Sequence, residues 1–284
     1  MNEIKRLGNT SIEVIHAAFE DAFSDYEVAI SMPVENLEEM MRTRSYRPEL
    51  SIGYFSDSAL VGFVLVGFRM IEGKRVCYDV ATGVIRSFQK KGIGDELLKA
   101  LLEMVEEERI DSFLLEVLVN NIPAQKLYER HGFRRTRRLN CFEMPKSSRE
   151  PDAFEGYSID DPALRFEQID GSLYTSFRPS WQNAWASFRN AADTYRLRSL
   201  SREGELVAYG IVHGERGGIL QIGLAPAHRN ARTLAQILQL LSESTKSEKL
   251  SYLNVESGSA LEEIILQLGC AGTVDQYEME YTAK

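Results

Sequence analysis

Gln89, Lys90, Lys91, Gly92, Ile93 and Gly94 stand between a run of β-branched residues and the most regular amphipathic segment of the chain. Glycines at a strand-to-helix turn let the backbone approach a ligand closely. The first amides of a helix lack intrahelical acceptors and point outward, so such a turn can hold an anion of the diphosphate kind. Lys90 and Lys91 would add positive charge at its rim. An ordinary glycine turn flanked by two solvated lysines fits the same six residues. Two familiar phosphate patterns are excluded. No Gly-Lys-Ser/Thr follows, and Leu97 occupies the place of the third glycine in G-x-G-x-x-G. What remains is Gln-x-x-Gly-x-Gly.

The elements that must position this turn are legible in the hydrophobic periods. After Gly92, Ile93, Leu97, Leu98, Leu101, Leu102 and Val105 recur at helical spacing, with glutamates mostly off that stripe. Upstream, a short strand over 4–7 and a helix from Thr10 or Ser11 precede a second helix after Pro33. Residues 50–55, 59–71 and 76–85 then read as three strands joined by short turns, an antiparallel meander. Downstream lie a strand over 113–119, a helix opened by Pro123 and closed by Gly132, and a strand over 133–144. Residues 145–156 carry two prolines, serines, glycine and charges, and read as a linker. The order then repeats in fainter form. Strands over 195–200, 206–212 and 218–224 precede a helix over 234–241, a strand over 250–255, a helix closed by Gly269 and a strand over 277–281. The repetition argues for an internal duplication and an α/β fold of two similar lobes, each a mixed, mainly antiparallel sheet flanked by helices.

Composition narrows the function classes. The 284 residues are 44% hydrophobic and 26% charged, which fits a globular protein and excludes collagenous or disordered chains. A net charge of −9, with the acidic excess in both halves, offers no field for unspecific binding to a phosphate backbone, so no nucleic acid is expected. No stretch approaches the ~18 apolar residues of a membrane helix, and no signal peptide pattern opens the chain. Cys77, Cys141 and Cys270 are odd in number and lie in apolar segments, which reads as buried, reduced thiols in a cytoplasmic protein. The four histidines are scattered without metal spacing, so no metal is expected.

The Gln-x-x-Gly-x-Gly turn, in its position between strand and helix, resembles the acetyl-CoA loop of the GCN5-related N-acetyltransferase (GNAT) superfamily. A second segment agrees: Asn121, Ala124, Leu127, Tyr128, Glu129, Gly132 and Phe133 are similar to the Asn-x-x-Ala-x-x-Leu-Tyr-Glu-x-x-Gly-Phe stretch that follows the fifth strand in that family. The resemblance implies an acetyl-CoA-binding catalytic domain over 1–145, a linker over 146–156 and a degenerate GNAT-like domain over 157–284. It implies a sheet splayed between its fourth and fifth strands. Val84 and Ile85 would pair with the pantetheine arm, the amides of residues 91–94 would hold the pyrophosphate beside Gln89 and Lys90, Ala124 would border the arm, and Asn121 would contact it or hold the loop after the fifth strand.

Acetyl transfer to an amine needs a neutral nucleophile, a polarised thioester and a proton for the departing thiolate. Tyr128 matches the position of the family's frequent general acid. A phenol of pKa ~10 facing a thiol near ~8.5 is the weaker acid by roughly 2 kcal/mol, which positioning can absorb. For the general base the resemblance points to Asp79 in the fourth strand, with Glu116 in the fifth as a second carboxylate. Thr82 and Gly83 would shape the same site. Asp21, Asp25 and Tyr26, near the first two helices, would suit a cationic amine acceptor.

The second lobe keeps the order of elements and loses this chemistry. Ala231 and Thr233 take the places of the two glycines, and aligning Gly269 with Gly132 sets Ile265 opposite Tyr128. Trp181 and Trp185, four residues apart on one helical face, could form a contact surface, as in a homodimer; packing in the core is the commoner fate of such a pair. The function expected is acetyl-CoA-dependent N-acetylation of a primary amine on a small molecule or protein. The alternative is a noncatalytic acyl-CoA sensor that kept the cradle and lost turnover.

Overall fold

The computed structural model describes residues 1–24, 32–146, 154–160, 162 and 170–283. It divides into two compact units, Met1–Thr136 with Tyr277–Lys284, and Arg137–Gln276. The sequence drew its boundary at 145 and gave the last strand to the second lobe; the structure groups that strand's final residues with the first unit. Packing explains the difference. Met279 is fully buried in the core of the first unit, the ring of Tyr281 lies 5.6 Å from that of Phe133, and the Ala283 amide donates to the Asp111 carbonyl at 3.0 Å. Most of the expected linker, residues 147–153, lies outside the described residues.

The first unit runs β1 (Asn2–Arg6), α1 (Ile12–Phe23), α2 (Val34–Thr43), β2 (Ile52–Ser56), β3 (Ala59–Ile71), β4 (Lys74–Val84), α3 (Ile93–Glu107), β5 (Ser112–Leu118) and α4 (Ile122–Arg130). Its sheet has the order β1-β2-β3-β4-β5, followed by the end of the last strand, β12 (Ala271–Thr282). Two-residue turns at Asp57 and Ser58 and at Glu72 and Gly73 join the meander, all four with positive φ. Such turns match the twist of the strands they connect. Helix α3 covers one face, burying Ile93, Leu97, Leu98, Leu101, Met104 and Val105. Helix α1 covers the other, where Phe19 stacks on Phe63 of β3 at 6.3 Å. A Cβ at Gly83 would stand 2.7 Å from Phe63 and 2.9 Å from Ala22, so only glycine lets α1 approach β4 this closely.

Two irregularities in β4 prepare the site. Leu65 pairs with Ala81 but Val66 with Asp79, which leaves Val80 as the extra residue of a β-bulge. Strands β4 and β5 are parallel and pair only at Val76 with Ser112, Cys77 with Phe113 and Tyr78 with Leu114. Both continue, to Val84 and to Leu118, without further pairing. The sheet therefore opens beyond Tyr78, as the family resemblance implied.

The second unit contains the end of β6 (Arg134–Pro145), β7 (Ser158–Ile159), α5 (Trp185–Asn190), β8 (Tyr195–Arg202), β9 (Glu205–His213), β10 (Gly218–Leu224), α6 (Ala231–Glu243), β11 (Lys249–Glu256) and α7 (Ala260–Gln267). Its strands follow the order β6-β11-β10-β9-β8-β7. The duplication extends to local defects. Val212 pairs with Ile219 and Ile211 with Gln221, so Leu220 is the extra residue of a bulge. Leu220 stands as far before Leu224 as Val80 does before Val84. The parallel pairing of β10 with β11 likewise ends early, at Ile219 with Tyr252. Trp181 precedes α5 and is buried, and Trp185 packs beside Tyr209. The pair thus packs within the second unit, not on a shared helical face as the four-residue spacing suggested.

Candidate active site

The glycine turn sits at the mouth of the opening. A 3₁₀ turn over Arg86–Phe88 follows β4, and residues 89–92 then lead into α3. Lys90 and Gly92 both have positive φ, 59° and 86°, and Gly92 occupies the cap position of α3 without any side-chain cap. The Asp95 and Glu96 amides fold back onto the Gly92 carbonyl, at 2.9 and 3.2 Å. Those of Ile93 and Gly94 belong to the first turn, where the helix supplies no acceptor. A Cβ on Gly92 would meet nothing within 4 Å, so the space above the turn is open. At Gly94 a Cβ would come within 3.2 Å of Leu127, which shows that its smallness lets α3 and α4 meet. Gln89 bends back to give its side-chain amide to the Val84 carbonyl at 3.2 Å. The Lys91 ammonium lies 4.5 Å from the centre of the Phe88 ring. Asp95, an acid in the first turn, is paired with Arg130 at 3.0 Å and His131 at 3.1 Å, which offsets its repulsion of an approaching anion.

At the inner end of the opening Tyr128, buried on α4, places its hydroxyl 3.4 Å from Asp79 Oδ2. Thr82 Oγ1 donates to the same oxygen at 2.8 Å, while Asp79 Oδ1 is buried with no hydrogen-bond partner among the described residues. Burial pushes the Asp79 carboxyl up to about 6, against the opposing pull of Thr82, Tyr128 and Arg44. Glu116 Oε2 accepts the hydroxyl of Tyr78, whose phenol burial raises well above its ordinary range.

The structure thus brings Tyr128, Asp79 and Thr82 together at one place and the residues of the glycine turn together at another, both along the β4 edge of the opening. Val84 and Ile85 are half-buried there; Val84 pairs with Gly62, and Ile85 donates to the Val61 carbonyl at 3.0 Å. Asn121 caps α4, its side-chain oxygen accepting the Ala124 amide at 3.2 Å, and Ala124 packs against the core. Asp21 is exposed at its own site and accepts the Arg86 amide at 2.7 Å, thereby holding the turn after β4. Asp25 and Tyr26 lie outside the described residues.

Two supporting residues escaped the sequence reading. Arg44 donates to the carbonyl of the bulged Val80 at 2.9 Å, satisfying a group that the bulge removes from the ladder. Gln125, buried on α4, donates to the carbonyls of Leu118 and Val119 at 2.8 Å each and ties the end of β5 to the helix. Neither carries a periodic or motif signal.

In the second unit the corresponding features are closed. The turn before α6 is shorter, with Arg229 and Asn230 alone between the 3₁₀ turn and the helix. Asn230, not Ala231, therefore stands at the cap position, and its side chain accepts from the Thr233 amide. Across the gap between β10 and β11 the Tyr252 hydroxyl accepts the Ile222 amide at 3.3 Å.

An opened mixed sheet, an uncapped helix start at its mouth and a phenol at its inner end characterise this α/β domain. Comparison with known proteins gives the particular family. Residues 14–133 match the model described as Acetyltransferase (GNAT) family. The [ribosomal protein bS18]-alanine N-acetyltransferase of Haemophilus ducreyi is 42% identical over 102 residues, covering 36% of this chain and 68% of that protein. A spermine/spermidine N(1)-acetyltransferase of Bacillus subtilis is 31% identical over 103 residues, 34% of this chain and 65% of that one. The chain belongs to the GNAT acetyltransferase family. Solved structures extend the likeness of fold over both units. A GCN5-related N-acetyltransferase from Sphaerobacter thermophilus aligns with a TM-score of 0.69 at 12% identity, over 99% of this chain and 95% of that one. A tandem GNAT protein from the clavulanic acid biosynthesis pathway aligns with a TM-score of 0.66 at 14% identity, over 100% and 99%.

Proposed function

We propose that the first unit is an acetyl-CoA-dependent N-acetyltransferase and that the second is its degenerate duplicate. The observation that carries this reading is the contrast at the two helix starts. Gly92 leaves the first-turn amides of α3 uncapped beneath open space, whereas Asn230 caps α6 with its own side chain.

The residues fit the carrier. A diphosphate suits the amides of Lys91 to Gly94 and the charges of Lys90 and Lys91. The unpaired edge of β4 around Val84 and Ile85 suits the amide-bearing pantetheine arm, with Asn121 and Ala124 on the α4 side. Bound there, acetyl-CoA would supply an activated acetyl group. Tyr128, its hydroxyl held against Asp79, then protonates the departing sulfur. Asp79, which touches Tyr128, and Glu116, which accepts from Tyr78, are the candidate carboxylates for taking the acceptor's proton.

The acceptor is a primary amine. Support comes from the relatives, whose acceptors are an alanine of ribosomal protein bS18 in one and spermine in another. Asp21, with Asp25 and Tyr26, stands nearest in sequence to the helices that would select it. The reading is tested by mixing the protein with acetyl-CoA and a panel of polyamines, small amines and alanine-initiated peptides, and following CoA release. Binding without acetylation of any acceptor would favour the noncatalytic sensor instead.

A further inference from the structure

The two carboxylates at the floor of the opening lie on opposite faces of the sheet. Asp79 is directly paired with Val66, whose side chain belongs to the core beneath α3, and it reaches Tyr128 on α4. Tyr78, its neighbour along the extended strand, points the other way. Glu116, bonded to Tyr78, therefore lies on the face that α1 covers. One carboxylate touches the expected acid; the other is separated from it by the sheet.

The second unit supplies an independent observation. Its bulge sets Ile219 at the place of Asp79, since each residue directly precedes the extra one. The bond from the Cys270 amide to the Ile265 carbonyl repeats that from the Phe133 amide to the Tyr128 carbonyl, so Ile265 stands at the place of Tyr128. Ile219 and Ile265 are both buried in one apolar cluster. The polar pair of the first unit is thus replaced as a pair, not singly.

We propose that Asp79 is a positioning residue that acts through Tyr128: held by Thr82, its carboxyl accepts from the phenol and orients it, while the acceptor's proton leaves on the opposite face. This rests on the acetyltransferase reading. The proton count closes. The amine nitrogen bonds the acetyl carbon as the carbon–sulfur bond breaks; the sulfur takes the Tyr128 proton and the phenol oxygen is reprotonated by water. The amine's surplus proton passes to water or Glu116, which balances the proton that water returns to Tyr128. Burial holds the carboxyl at about 6, so near neutral pH it is mostly the carboxylate that accepts the phenol's hydrogen bond. The charged and titratable groups bearing on Asp79 are Tyr128 from α4, Arg44 following α2, and its strand neighbour Tyr78 with Glu116 behind it.

The test combines Asp79→Asn, Tyr128→Phe and the double variant. Asp79→Asn is expected to lower kcat roughly tenfold with both KM values nearly unchanged, and to have almost no further effect in the Tyr128→Phe background. Loss of kcat by the same factor in both backgrounds would overturn the proposal, because Asp79 would then act without Tyr128. A second readout needs no turnover: the Asp79 carboxyl carbon is titrated by NMR in the unliganded protein and in Tyr128→Phe. Its midpoint is expected to move up when the phenol hydroxyl is removed, since that hydroxyl now holds it down. An unmoved midpoint would overturn the pairing. If no amine is acetylated by the unaltered protein, the acetyltransferase reading fails while the titration still reports on the pair.

Discussion

The side-chain oxygen of Asn230 accepts the amide of Thr233 at 3.0 Å, whereas the amide at the same place in α3, that of Asp95, turns back to the Gly92 carbonyl at 2.9 Å and no side chain caps that helix start. One expectation concerns this cap. Asn230→Ala should lower the stability of the protein by about 1 kcal/mol, the usual worth of such a cap, and leave acetyl-CoA affinity unchanged. Urea unfolding and calorimetric titration measure the two effects separately. A change in affinity would place ligand in the second unit.

Tyr128→Phe removes one oxygen from a ring that stays packed 5.7 Å from Phe133. Turnover should fall about 100-fold, in keeping with the loss of a general acid, with acetyl-CoA affinity within about twofold of the original. CoA release and equilibrium binding check this together. Equal loss of both would mean that the phenol serves to build the pocket and not to donate a proton.

The raised pKa of Asp79 has a consequence for stability. The folded value, about 6, exceeds the ~3.9 of an unfolded aspartate. The folded state therefore holds the proton more tightly, and stability falls as pH rises from about 4 through about 6. Above that range the ionised, buried carboxylate costs up to about 3 kcal/mol, from two pH units at 1.36 each. Asp79→Asn should accordingly be the more stable form at pH 7 and lose that advantage near pH 4. Unfolding midpoints at the two pH values decide it; a difference independent of pH would contradict the burial argument.

Much of the fold was legible in the chain because its signals are local. The stripe from Ile93 to Val105 forms the helix it predicts, and the turns at Asp57 and Glu72 lie where the hydrophobic runs break. The duplication was visible in the order of elements. Pairing partners were not, because alternation of side chains announces a strand without saying which sheet it joins; hence the end of β12 was assigned to the wrong unit. The bulge at Val80 and the bond it receives from Arg44 depend on register, which spacing along one strand does not reveal. Loop length misled in the second unit, where two missing residues moved the cap to Asn230. The two tryptophans failed as a helical pair because the helix begins only at Trp185. At the site, the glycine turn stands out in residue order, and Tyr128 stands out only through the resemblance of its segment to the family's. That Asp79 meets Tyr128 could not, since 49 residues separate them.

The central claim is that a diphosphate rests on the amides opened by Gly92, and calorimetric titration with acetyl-CoA tests it most directly. The unaltered protein should bind one equivalent per chain. Gly92→Val should weaken binding at least roughly tenfold, because a branched side chain at positive φ strains the turn and fills the space above it; circular dichroism would verify that the variant is folded. Two equivalents bound, no binding at all, or full affinity in the folded variant would contradict the account.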